Sequence, residues 1–221
     1  EPVLGKEPEL ATGPILELVL ELVFDPQRLE PFLRARLPGR ERLDQPRDDR
    51  FVGARGTWIN GSYGLGVIAH ELGHNFGLRH ANFWQAPNET IIGAGSSQEY
   101  GNPFDTMGGG NIDETTGLQG HFNAWYKWDL DWFSNAQIQV VSQPAQSGSF
   151  QVYDLEQPSL GGLHGLRVPI SGARDYWVEF RPTEGGLLAR SAVIFWGYPQ
   201  AAESNLLDMN PGTATATDAP L

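Results

Sequence analysis

The chain has no cysteine among its 221 residues. Disulfide staples, thiol nucleophiles and thiolate-held metal are therefore excluded. Histidine and methionine are scarce, with five and two copies, so any of them that falls in a pattern carries weight. Basic residues are outnumbered, 15 Lys and Arg against 27 Asp and Glu, giving a formal net charge of −12. Nucleic-acid binding through phosphate neutralisation needs clustered Lys and Arg, and this balance argues against it. No apolar run is long enough for a membrane span. The longest, Ile15 to Phe24, is broken by Glu17 and Glu21 and falls short of the ~20 residues a helix needs to cross. The opening Glu1-Pro2-Val3 lacks the basic start and apolar core of a secretory leader. With a first residue other than Met and an abrupt stop at Leu221, the sequence reads as a mature form or a part cut from a longer protein. What is present, 40% hydrophobic and 11% aromatic, is the make-up of a globular chain with a sizeable core.

Residues 1–14 carry three prolines and read as an extended lead-in. Ile15 to Phe24 fits both a period of two and a period of 3.6; its β-branched residues and short length favour a strand. Asp25-Pro26 suits the start of a short helix reaching Leu37, limited by Pro31, and 38–50 read as a solvated loop. A strand-like run over 51–59 ends in Thr57-Trp58-Ile59 and is followed by turn residues Asn60 to Gly64. Leu65 to Leu78 predicts a helix with Val67, Ile68, Leu72 and Phe76 available to the core. Residues 81–120, rich in Gly, Asn, Ser and Pro, read as one long loop, functional or disordered. Phe122, Trp125, Trp128 and Trp132 recur at near-helical spacing and predict a second helix over 122–133 with a tryptophan stripe in the core. Beyond Ser134 come short strand-like runs at 138–142, 149–155, 163–170, 175–181 and 187–196, separated by turn residues. The expected fold class is thus α+β, with a division near 134–137 between a mixed helix-and-strand part (1–134) and an antiparallel β-rich module (135–221).

The chemistry is concentrated in His70-Glu71-Leu72-Gly73-His74-Asn75-Phe76-Gly77-Leu78-Arg79-His80. Residues four apart share a helix face, so His70 and His74 can grip one ion. Glu71 then stands beside the first ligand, where a general base is needed. Gly77 suits a helix C-terminal turn that swings His80 back as a third ligand. Three neutral imidazoles with one position open is the ligand set of a catalytic zinc site rather than a closed structural one.

These residues, followed by Tyr100-Gly101-Asn102-Pro103-Phe104-Asp105-Thr106-Met107-Gly108, resemble the metzincin clan of zinc endopeptidases. The closer similarity is to the gametolysin-type peptidases, and it extends through His121 to Ala124, Tyr176 to Arg181 and Leu206 to Met209, covering roughly 52–221. Residues 1–50 depart from the clan's pattern and read as an atypical or incomplete upper part of the catalytic domain. The resemblance implies a zinc helix, a Met-turn with Met107 as a non-ligating floor, and a C-terminal helix. It also implies Zn2+ on His70, His74 and His80, Glu71 as general base, peptide-bond hydrolysis in extracellular or cell-wall proteins, and a wall for the substrate pocket from residues 108–120. Tyr100 or Tyr126 could supply an oxyanion contact. His121 is a lesser candidate for the same role, His164 reads as incidental, and Asn102 and Asp105 read as turn-formers. The competing reading is a β-rich surface-binding protein whose metal site is structural or inert.

Overall fold

The computed structural model describes residues 18–22, 52–53, 64–86, 90–110, 120–157, 161–171, 174–182, 191–212 and 216–220. The expected lead-in, the short helix after Pro26, the loop 38–50, the Thr57-Trp58-Ile59 run and most of the pocket wall 108–120 lie outside them. Among the described residues two α-helices and nine strands follow in chain order: β1 (Leu18–Leu22), α1 (Leu65–Asn75), β2 (Ala81–Gln85), β3 (Ser96–Gln98), α2 (Ala124–Asp129), β4 (Ile138–Val140), β5 (Gly148–Val152), β6 (Gly165–Ser171), β7 (Arg174–Phe180), β8 (Ala192–Tyr198) and β9 (Glu203–Leu207). The class is α+β with a body that is mostly sheet. None of the described helices is long and apolar enough to cross a membrane.

Seven strands form one sheet in the order β3-β2-β9-β8-β7-β6-β4, while β1 pairs with β5 in a separate antiparallel ribbon. The seven-stranded sheet is mixed, which corrects the expectation of a purely antiparallel module: β2 runs parallel to β9, and β4 parallel to β6. The division expected near 134–137 is crossed by this sheet, since β2 and β3 precede it and the other five strands follow it.

One row of paired residues explains how the sheet holds the rest. Phe83, Leu206, Phe195, Trp177 and Arg167 lie opposite one another on successive strands β2, β9, β8, β7 and β6. Successive residues in a strand alternate faces, so this row shares a face, and its four apolar members are buried. Helix α2 lies against it: Trp128 meets Trp177 at 5.8 Å between ring centroids. A Cβ at Gly197 would come within 2.8 Å of the Trp125 ring, so the absence of a side chain there is what seats that tryptophan. On the opposite face Leu166, Val178, Phe180 and Ala192 form a second cluster with Val152 of β5.

Several local expectations need correction. Ala81–Gln85 is an interior strand rather than loop, with β3 on one side and β9 on the other. The second helix is six residues long, ended by Leu130 and by Asp131 at φ 59. Trp132 consequently falls beyond the helix and is 49% exposed, not part of a core stripe. Val67 and Leu72 of α1 and Phe76 just after it are exposed, and Gly73 is the buried position of the helix.

Candidate metal centre

Helix α1 ends in a Schellman turn. Gly77, at φ 96, donates its N–H to His74 O (2.9 Å) and Leu78 donates to Gly73 O (3.0 Å). A positive φ is where glycine has no Cβ penalty. Leu78 is buried as the chain reverses, and His80 is carried back beside the helix. His70, His74 and His80 then offer three ring nitrogens all within 4.8 Å of one another. Among the described residues this is the grouping of three or more candidate ligands that could hold a metal ion.

The hydrogen bonds decide which nitrogens face inward. His70 Nδ1 donates to Thr106 O (2.8 Å) and His74 Nδ1 to Leu78 O (2.9 Å). Carbonyl oxygens only accept, so both Nδ1 atoms carry the proton. His80 Nδ1 is 2.8 Å from Glu99 Oε1, again an acceptor. The neutral rings therefore present bare Nε2 lone pairs. His74 Nε2 and His80 Nε2 stand 3.2 Å apart, a contact between two bases that is not a hydrogen bond unless a proton or cation is shared. Two nitrogens at ~2.05 Å from a tetrahedral ion are about 3.4 Å apart. The spacing matches an edge of that tetrahedron, and the donor set fits a metal. Burial holds both His70 and His80 below the ordinary imidazole range, with the bonds to Thr106 O and Glu99 pulling weakly the other way. Both rings are thus set in the neutral, ligating form at neutral pH.

Glu71 is half-buried, and its charge acts on both His70 and Tyr100. Met107 is fully buried, and a Cβ at Gly73 would overlap its sulfur, so the Met107 side chain packs against α1 at Gly73. Its turn is tightly determined. Asp105 accepts the Met107 N–H at Oδ1 (2.7 Å) and the Asn123 N–H at Oδ2 (2.9 Å). Asp105 O receives Gly108 N and Gly110 N, and Asn102 Oδ1 caps Phe104 N. Asp105 is more than a turn-former, because it ties Met107 to the start of α2. Burial pushes its carboxyl up to about 7 against the pull of Arg181.

The remaining candidates separate clearly. Tyr100 is at the cluster, its ring 3.9 Å from that of His80 and 5.7 Å from that of His70 between centroids. Tyr126 is buried, with its hydroxyl 3.0 Å from both Arg79 O and His80 O and 3.1 Å from Ser204 N. It anchors the backbone of the third ligand and has no free hydroxyl to offer a substrate. His121 accepts the Phe122 N–H at Nδ1, and its Nε2 is 3.7 Å from Glu156. Burial, with Lys127 and Arg181 nearby, lowers its pKa to about 3, so it is a neutral ring. His164 is buried, stacked on Phe133 and bonded to Asp154 O. Sequence reasoning missed Thr106 O and Glu99, the partners that orient His70 and His80. It also missed the role of Glu179 and Arg181, which hold the turn around Met107. No spacing rule reaches across those separations. Comparison with known proteins found no matching family model, no matching curated protein and no matching solved structure.

Proposed function

We propose that the chain is a zinc-dependent endopeptidase of metzincin type, with His70, His74 and His80 as ligands and Glu71 as general base. The observation that carries this reading is the fixed tautomer of three converging imidazoles, Nδ1 bonded outward and Nε2 bare, with Glu71 one residue from the first of them. Acceptors bonded to the outward nitrogen of ligand histidines set ring orientation and raise basicity, and a merely packed histidine cluster has no need of all three.

When bound, zinc supplies Lewis acidity toward a scissile carbonyl and acidifies water. The chain's residues do the rest. Glu71 takes the proton from the attacking water onto its carboxylate and passes it to the leaving amine nitrogen, acting as base and then acid. Met107, without a role as ligand, supports the underside of α1 through Gly73. The substrate class is extracellular or cell-wall protein, and the site of action is outside the cell, both by resemblance of the motifs to gametolysin-type peptidases.

The test is Glu71→Gln alongside the unaltered chain, assayed on a peptide library with and without chelator. Zinc stoichiometry should survive the substitution while chelator-sensitive cleavage falls by about 10²–10⁴-fold, the range for losing a general base. Cleavage that persists in Glu71→Gln refutes the assignment. A chain that binds zinc and cleaves nothing supports the inert-site, surface-binding reading instead.

A further inference from the structure

The three ligands are not held equally. His70 and His74 stand on a helix, and their Nδ1 atoms are fixed by backbone carbonyls, Thr106 O and Leu78 O. His80 lies beyond the helix in irregular chain, and its Nδ1 partner is the side chain of Glu99, which is 69% exposed. A charge-assisted pair with one partner this exposed is worth only ~0.2–1 kcal/mol, because water competes for the carboxylate. On that bond alone the third ligand would be the loose one.

We propose that Glu99 and Tyr100 together form a clamp on His80 that governs how tightly and for how long the site keeps its metal. This rests on reading the cluster as a metal site. Glu99 holds the imidazole in its plane and Tyr100 covers its face, at 3.9 Å between centroids with a tilt of 36°. It is the shortest ring-to-ring approach in the cluster. The topology brings the pair there. His80 immediately precedes β2, Glu99 immediately follows β3, and the two strands are antiparallel with Phe83 opposite Gln98, so the ligand and the clamp emerge side by side.

The backbone at Tyr100 is the second independent observation. Successive residues of an extended chain point to opposite sides, so Glu99 and Tyr100 could not both reach one imidazole by continuing the strand. Tyr100 instead has φ 59, a left-handed conformation that costs a residue with a Cβ ~1–2 kcal/mol. It is pinned by its N–H donating to Asn82 Oδ1 (3.1 Å), and Asn82 Nδ2 is bonded in turn to Glu203 (3.0 Å). Core packing does not account for the strain, since Tyr100 is 46% exposed. The left-handed turn breaks the alternation and places both side chains on His80. Strain held at a site by its surroundings is the pattern of a functional constraint.

The experiment measures zinc affinity by competition with a chromogenic chelator and zinc release by stopped flow, on the whole chain, with the cobalt-substituted spectrum as a check on coordination. Tyr100→Ala and Glu99→Ala should each weaken zinc binding by about 10- to 100-fold, the range for losing an outer-shell partner, with faster release and an altered cobalt spectrum. Tyr100→Phe keeps the ring and should retain the wild-type values. Tyr100→Gly should lose affinity as Ala does, yet leave the metal-free melting temperature unchanged or higher, because glycine relieves the left-handed backbone. In a His80→Ala background, Tyr100→Ala should have no further effect. Unchanged affinity in Tyr100→Ala, or an equal loss with and without His80, overturns the clamp. A wild-type chain that takes up no zinc sinks the metal site itself, whereas zinc uptake without peptide cleavage leaves the clamp decidable.

Discussion

Replacing Gly73 with alanine tests how closely the floor is packed beneath the histidines. In the middle of an exposed helix, Gly to Ala stabilises by ~1 kcal/mol, because glycine loses more backbone freedom on folding. Here the added Cβ would overlap the Met107 sulfur and stand 3.1 Å from Phe122 Cε1 and 3.2 Å from Met107 Cε. Met107 and Phe122 are both buried, and the Met107 N–H is held by Asp105, so neither side chain can simply swing into water. Overpacking costs ~1–3 kcal/mol, with methionine's flexibility favouring the lower half of that range. The expected net effect runs from near zero to a loss of ~1 kcal/mol, the steric cost cancelling or outweighing the propensity gain. Met107→Ala alone should cost about 2–5 kcal/mol through the cavity it opens. In that background the methyl group added at position 73 enters vacated space, and Gly73→Ala should now stabilise by up to ~1 kcal/mol. Urea unfolding of the four metal-free variants, compared at constant m-value, reads the sign directly. An effect of the same sign and size in both backgrounds would refute the packing of Met107 on α1.

Two further outcomes follow from the buried charges below the site. Burial raises the Asp105 carboxyl from 3.8 to about 7 in the folded chain, so folding takes up a proton between those values. Asp105 therefore favours the folded state fully below pH ~4 and loses that contribution as pH rises through ~7. Asp105→Asn should be less stable at pH 5 but show a flatter fall toward pH 8 in denaturant titrations; an unchanged slope contradicts the assignment. Arg181, itself buried, donates Nε to Glu179 Oε1 (2.7 Å) and a terminal nitrogen to Phe104 O (2.6 Å) and His121 O (3.1 Å). Arg181→Met strands two buried carboxylates and should cost about 3–5 kcal/mol in the same unfolding assay, and a loss below ~1 kcal/mol would show that the pair is not charge-compensated by this residue.

What was legible in the sequence is what depends on local spacing. The histidines at positions 70 and 74 lie one helical turn apart, Gly77 sits where a left-handed turn is needed, and alternating runs such as Asp175 to Arg181 read as strands. What was not legible is set by partners distant in the chain. Ala81-Asn82-Phe83-Trp84-Gln85 is short and carries polar residues at both Asn82 and Gln85. It becomes a strand because β9 lies parallel to it, with Ala81 opposite Ser204 and Phe83 opposite Leu206. Trp132 fits a helical period, but Asp131 adopts φ 59 one residue earlier and the Trp132 N–H returns to Lys127 O, so the helix has already closed. The exposed Leu72 and Phe76 satisfy a sequence template for burial that the described packing does not use. Glu99 differs again. One exposed glutamate gives no sequence signal, and its role follows only from the β2–β3 pairing that places it against His80.

The segment from Asn102 to Asn123 shows why the sheet cannot be treated as an appendage to the chemistry. Its described part has almost no secondary structure of its own, yet buried backbone donors and acceptors must be satisfied. Side chains satisfy them one by one. Asn102 takes Phe104 N; Asp105 takes Met107 N and Asn123 N; Asn123 takes Tyr126 N. The decisive contributions come from β7 and the residue just after it. Glu179 Oε2 takes Ala124 N at the head of α2 (2.6 Å), and Arg181 returns hydrogen bonds to Phe104 O and His121 O. That places two carboxylates, Asp105 and Glu179, around one guanidinium in a buried cluster, a costly arrangement that burial answers by raising both carboxyl pKa values. Such a cluster orders a backbone that has no ladder of its own. The ordered backbone sets Met107 under α1 and delivers Thr106 O to His70. The orientation of His70 is thus set by residues far downstream in the chain, and the three-histidine motif depends on β7 to become a candidate metal site.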